Sequence, residues 1–363
     1  MTGQGHQIFV DELARFAAGC ADPRVAAIAE RVAAPLRVVV GGRRGVGCST
    51  VARALDHAGS AWGISASTGM TPSAADIADM VVYVTAEVVK PEDTDAIAAA
   101  GRPVAAVLNK ADLALSGRAG DGPIAAARMR CAKLSALAGA PMEPMSGLLA
   151  LASLEGVDGA LWAALRALAA DPGGAACLDG SYPAFLAADN PVPTDVRLRL
   201  LDTLDLFGTA FAIAAVRQGR TPAQVRALLR RMSGLDAVLN KISAIGAEVR
   251  YRRVLAAVAE LEALAISRDR TGESISGFLS RDDTVVARMA AAVDVAEAAG
   301  LEPVNGDRDD PAAHLPRAVR WQRYSLGKLG PVSDLHRACG ADIARGSLRL
   351  WSQACGSLPG ESW

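Results

Sequence analysis

Aromatic residues are scarce in this chain, at 4% of 363. Long apolar runs are absent as well. The longest clean one, Leu206 to Val216, is bracketed by Asp205 and Arg217 and falls short of the roughly 20 residues a membrane-spanning helix needs. No apolar h-region follows Met1, and acids stand within the stretch to Glu12, so no secretory signal is expected and the expected setting is the cytoplasm. Net charge is nearly absent, at -1, so no global field draws the chain to nucleic acid or an anionic membrane. The six cysteines (Cys20, Cys48, Cys131, Cys177, Cys339, Cys355) form no C-x-x-C. His336 and Cys339 stand near each other without a second ligand pair, so no zinc pattern is present and reduced thiols are expected.

What is abundant is alanine, arginine and an apolar fraction of 51%, enough for a large core. The length fits two domains. Residues Gln7 to Ala34 read as two short helices, with Phe9, Leu13, Phe16 and Ala17 at helical spacing and Asp22-Pro23 as a helix start. This leader (1–36) is expected to pack on the domain that follows. From Arg37 to Ala169, apolar strands alternate with helices. Arg37–Gly41, Met80–Thr85, Pro103–Leu108 and Pro141–Met145 read as strands, with Trp62–Ser65 as a short further one. That alternation predicts an α/β domain (37–170), a mostly parallel sheet with helices on both faces. Asp171-Pro172-Gly173-Gly174 opens a composition break, read as a linker (171–193). From 194 to 363 only helical patterns appear, predicting an all-α domain.

Three expected strand ends carry the chemistry. The first holds Gly42-Arg43-Arg44-Gly45-Val46-Gly47-Cys48-Ser49-Thr50 between a Val run and a helical segment. Strand, glycine loop and helix together form the setting of G-x-x-x-x-G-K-[ST], in which inward amides and a helix N-terminus cradle phosphate. The second holds Asn109-Lys110-Ala111-Asp112, and the third holds Ser146-Gly147-Leu148. In an open α/β sheet, ligands bind beyond strand C-terminal ends. The order and spacing resemble the P-loop GTPases of the Era-like/TRAFAC type, over about Arg37 to Ala169. The resemblance implies GTP or GDP as cofactor, with Asn109 holding the loops, Lys110 along the base, and Asp112 accepting from guanine N1 and its exocyclic amine. Ser146-Gly147 would touch guanine O6 through the backbone, beside Leu148. Ser49 would reach Mg²⁺. A partner protein would bind through the helical domain, and a homo-oligomer is compatible with it.

The pattern also departs from that family. Cys48 stands where the phosphate lysine belongs, and no D-x-x-G lies between Ser49 and Met80. Thr68 and Thr71 are the candidate switch threonines. Losing the lysine and the metal-linked aspartate removes charge that phosphoryl transfer depends on, so weak or absent hydrolysis is expected. Two functions stay open: a regulatory GTP-binding protein, and a nucleotide-free pseudo-GTPase acting as an interaction scaffold. The loop also resembles the MinD/ParA-like deviant loop, without either of its lysines. Cys48 reads as a drifted lysine position, with a redox thiol as the alternative. Arg217, Arg220, Arg226, Arg230, Arg231, Arg250, Arg252 and Arg253 read as a solvated helix face, and Trp321, Tyr324 and Trp351 as core.

Overall fold

Valine and methionine set the sheet. Strand β1 (Leu36–Gly42) and strand β3 (Met80–Ala86) are buried on both faces along most of their length, as a helix-covered parallel sheet requires. The computed structural model describes residues 4–69, 77–113, 122–171, 181–266, 270–301 and 310–356. With β2 (Ile64–Thr68), β4 (Val104–Asn109) and β5 (Met142–Pro144), the strand order is β2-β1-β3-β4-β5, all parallel. Val39 pairs with Val81, Val82 with Ala105 and Val107 with Glu143.

The order reverses at β1. Helix α3 (Cys48–Gly59) carries the chain outward to β2, whereas α4 (Pro91–Ala98) and α5 (Gly122–Ala138) carry it the other way through β4 to β5. Right-handed crossovers then place α3 on one face and α4 with α5 on the other. Tyr83, Ala106, Leu108 and Met142 point to the second face and pack with Ile97, Cys131 and Leu134. The switch point between β1 and β3 is where such sheets leave a crevice.

The chain divides into two compact units, Arg37–Ile242 and a discontinuous one of Met1–Leu36 with Ser243–Trp363. This differs from the expected boundaries in two ways. The leader helices α1 (Gln4–Gly19) and α2 (Pro23–Ala33) belong with the C-terminal helices, because the Phe9, Leu13 and Phe16 stripe is buried there. Phe16 stacks on Phe278 with ring centroids 4.3 Å apart. Helices α9 (Thr194–Arg217) and α10 (Pro222–Ser233), expected in the all-α domain, instead complete the sheet unit together with α8 (Tyr182–Ala187), and they form one core with α6 (Gly147–Glu155) and α7 (Gly159–Ala170). Helix α8 lies inside the expected linker, with Phe185 fully buried and the Arg197 guanidinium bonded to the Phe185 and Ala188 carbonyls.

Helix α9 contains a kink. Asp205 sits at φ 61°, ψ 179°, a region populated essentially by glycine. Its carboxylate accepts from the Leu206 amide and its carbonyl from the Thr209 hydroxyl.

The second unit holds α1, α2, part of α11 (Leu235–Ala265), α12 (Arg270–Ser280), α13 (Asp282–Ala298), α14 (Pro311–Ser325) and α15 (Asp334–Gly356). The sequence pattern missed α12. Buried Asp342 receives Tyr251, Arg288 and Arg345 at 2.9, 2.8 and 3.1 Å. Arg250, expected on a solvated face, is buried and bonded to Ser243. Trp321 is core and Tyr324 half-buried, as expected, but Trp351 is exposed. Among the described residues no single helix is long and apolar enough to cross a membrane.

Candidate functional site

The glycine loop turns tightly because its neighbours leave no room. A Cβ on Gly42 would lie 2.3 Å from the Val84 carbonyl oxygen, and one on Gly47 2.4 Å from Asn109 Nδ2. Gly47 also sits at φ 91° as the cap residue of α3, a conformation L side chains rarely adopt.

Asn109, at the end of β4, joins all three strand ends. Its Nδ2 donates to the Val46 carbonyl at 2.8 Å, and its Oδ1 accepts from the Gly147 amide at 2.9 Å. Asn109 is 4% exposed. A Cβ on Gly147 would be 3.1 Å from Thr50 Cγ2 and 3.2 Å from Asn109 Oδ1, so the start of α6 presses on the start of α3. The Asn109–Asp112 turn is held in the same way: the Ala111 amide donates to Met145 O at 3.1 Å, and Lys110 is at φ 56° with its side chain exposed.

Asp112 is 4% exposed and bonded by the Ser146 hydroxyl. Burial pushes its carboxyl above the usual value, and the charge of Asp205 adds to that, while the Ser146 bond opposes it. Tyr182, at the start of α8, donates from its hydroxyl to the Leu201 carbonyl at 3.5 Å, and burial, with Asp205 adding to it, raises its phenol to about 12. The charge at the α9 kink also acts on the Asp112 carboxylate. Neither Asp205 nor Tyr182 carried a sequence signal for this, since each lies in a segment read as linker or helix.

The glycine-loop side is less complete. Gly45 (φ 88°), Ser49 and Arg44 are exposed, and Arg44 has no partner among the described residues. Val46 is buried, and Cys48 and Thr50 are half-buried. Arg43 is turned away. Its Nε donates to Asp93 Oδ1 at 2.8 Å and its other nitrogen reaches Val88 O. Asp93 is fully buried and also receives Tyr83 OH at 3.0 Å and the Lys90 amide at 2.8 Å. Burial opposes its ionisation, and these bonds outweigh that, so its carboxyl stays below the usual value. In sequence Asp93 reads only as a helix cap at the third position after Lys90.

Of the two loop arginines that could stand in for the lysine, Arg43 is committed to Asp93. The drifted-lysine reading of Cys48 is favoured over the redox alternative, because burial raises its thiol instead of lowering it. One expectation needs refinement. The amides of Ser146 and Gly147, expected to face guanine O6, already donate to Ser233 O at 2.8 Å and to Asn109 Oδ1. Leu148 is half-buried behind them. Thr68 is exposed at the end of β2, while Thr71 and Cys177 lie outside the described residues. His336 and Cys339 take different partners, Tyr324 OH and the Ala292 carbonyl.

No protein family, curated protein or solved structure matches the chain. The site rests on its own geometry: a tight glycine loop, a buried asparagine clamp, and a buried carboxylate beside a serine.

Proposed function

We propose that the unit 37–242 binds GTP or GDP in the manner of a P-loop GTPase and holds it with little or no hydrolysis, as a regulatory module. The observation that carries this reading is the Asn109 clamp, which ties Val46 of the loop to Gly147 of the third strand end and leaves Asp112 and Ser146 beside it. A carboxylate at such a place accepts two charge-assisted bonds from guanine, each worth about 1.5–3 kcal/mol. Adenine offers the opposite pattern and leaves the carboxylate unpaired. The exposed Arg44, Gly45 and Ser49 of the loop, ahead of and at the start of α3, suit a phosphate group. Ser49 would be the one side chain of this loop to meet Mg²⁺, which neutralises phosphate charge when bound. Slow chemistry follows from a neutral thiol at Cys48 and from an Arg43 held by Asp93.

A second reading is favoured by a specific observation. Asp112 is nearly inaccessible and the Gly147 amide is already engaged, as expected of a nucleotide-free scaffold that keeps the fold for protein contacts. Fluorescent GTP, GDP and ATP titrations with and without Mg²⁺ separate the two. Binding of the guanine nucleotides that is lost in Asp112→Ala supports the first reading. Absence of binding to all three removes it in favour of the scaffold.

A further inference from the structure

Helices α14 and α15 form an antiparallel hairpin. Arg317 Nε donates to Ser347 Oγ at 2.8 Å near one end, and Tyr324 OH meets His336 Nδ1 at 3.1 Å near the other. The connection between Ser325 and Asp334 is the hairpin's tip, and its backbone is hydrogen-bonded back to α14. Gly327, at φ 71°, donates to Tyr324 O at 2.9 Å, and the Lys328 amide donates to Arg323 O at 3.0 Å. These are the two bonds of a Schellman cap. That cap usually buries an apolar residue, but here it holds two leucines out in water. Leu326 is 55% exposed and Leu329 52%, with Lys328 between them. Val319 is exposed on α14 leading to the tip.

Residues 311 to 333 contain Arg317, Arg320, Arg323 and Lys328 and no Asp or Glu. The nearest acids are matched: Asp334 faces Arg337 at 3.9 Å, and Glu248 faces His336 at 3.7 Å. The side chains of Arg320, Arg323 and Lys328 are exposed and have no partner among the described residues. Single exposed leucines need no explanation. A pair held outward by an ordered turn and collared by unpaired cations is different. Protein interface cores deplete lysine and enrich arginine and aromatic residues, and the Leu326-Gly327-Lys328-Leu329 tip offers a lysine and no aromatic. Cationic side chains beside exposed apolar ones suit a headgroup layer, where their stems lie along the acyl boundary and their charges meet lipid phosphate.

We propose that this tip docks on an anionic lipid bilayer, with Leu326 and Leu329 entering the interfacial layer and Arg320, Arg323 and Lys328 against the phosphates. No spanning helix is involved. The contact is peripheral and independent of the nucleotide reading.

The test is co-sedimentation of the full chain with phosphatidylcholine vesicles, with and without phosphatidylglycerol, at low and high salt. Binding is expected only with phosphatidylglycerol and should weaken with salt. Leu326→Asp and Leu329→Asp should each lower partitioning about tenfold or more, since each replaces a buried apolar group by a charge. Lys328→Glu should lower it less and flatten the salt dependence. Leu198→Asp, at an exposed leucine on α9, should change nothing. Circular dichroism melts of all variants should coincide, because every site is exposed. Three results would each overturn the proposal: no vesicle binding, binding indifferent to both leucine variants, or a tip-dependent dimer in solution without vesicle binding.

Discussion

Asn109→Ala is the sharpest probe of the clamp. The substitution removes bonds of 2.8 and 2.9 Å and leaves the Val46 carbonyl and the Gly147 amide buried without partners. Each orphaned group costs about 1–3 kcal/mol, so the loss should be about 3–4 kcal/mol. Asn109→Asp is more informative. It keeps an oxygen for the Gly147 amide but sets a second one 2.8 Å from the Val46 carbonyl oxygen. The repulsion and the burial both disfavour ionisation, so the folded-state pKa of that aspartate should be raised. A raised carboxyl makes the folded form relatively more stable below its unfolded pKa and less so as pH climbs through the folded value. Protonated, the new side chain donates to Val46 O and partly restores the clamp. Guanidinium unfolding should therefore show the Asp variant worse than Ala at pH 8 and better at pH 4.5. Under the GTP reading, both variants should also lose at least tenfold in affinity. A cost below about 1 kcal/mol for Asn109→Ala, or an Asp variant without that crossover in pH, would refute the clamp.

Two other predictions concern backbone strain and a buried imidazole. Asp205→Gly should be more stable than Asp205→Ala by about 1–3 kcal/mol, since both lose the carboxylate bond to Leu206 but only glycine adopts φ 61°, ψ 179° freely. A straight α9 would instead make the glycine variant the less stable by about 1 kcal/mol, so the sign of the difference in melting temperature decides. His6 is 8% exposed, its Nε2 has no partner among the described residues, and burial followed by Arg250 and Arg253 lowers its pKa from 6.5 to about 3. The unfolded chain binds the proton first, so stability falls as pH drops below 6.5, by about 2 kcal/mol at pH 5. In His6→Asn this component should vanish, and an unchanged difference between pH 7 and pH 5 would contradict the burial.

The convergence of the strand ends was legible in sequence because its elements are local. Each is a strand followed by a short polar cluster, and sheet geometry brings such ends together. The fate of Arg43 was not legible: its partner Asp93 lies 50 residues on and looks like an ordinary cap. The grouping of the leader with the C-terminal helices was hidden for a related reason. The Phe9, Leu13 and Phe16 stripe shows that something is buried there but not what covers it, and the answer, Phe278, comes hundreds of residues later. Asp205 itself is no helix breaker, and Gly208 lies three residues past the bend, so the sequence did not place it. Arg250 looked solvated because its compensating groups, Ser243 and Asp294, are set by helix packing and not by spacing.

Under the proposed reading, the two ends of the site differ in a way that constrains what a nucleotide could signal. At the base end, a buried carboxylate, a serine and an asparagine clamp are mutually bonded and preorganised. At the phosphate end, Arg43 is committed elsewhere and a neutral thiol replaces an ammonium. Two charge-assisted bonds to guanine supply about 3–6 kcal/mol, while a third phosphate would gain little from a loop whose unpaired side-chain cation is the exposed Arg44. GTP and GDP should then bind within a few-fold of each other, so the distinction a partner could sense is occupied against empty. The element placed to register that distinction is α9, whose strained Asp205 adds its charge to that of Asp112. Bound guanine donates two hydrogen bonds to Asp112 and favours its ionised form, which raises its repulsion with Asp205, so occupancy would be felt first at the kink of α9.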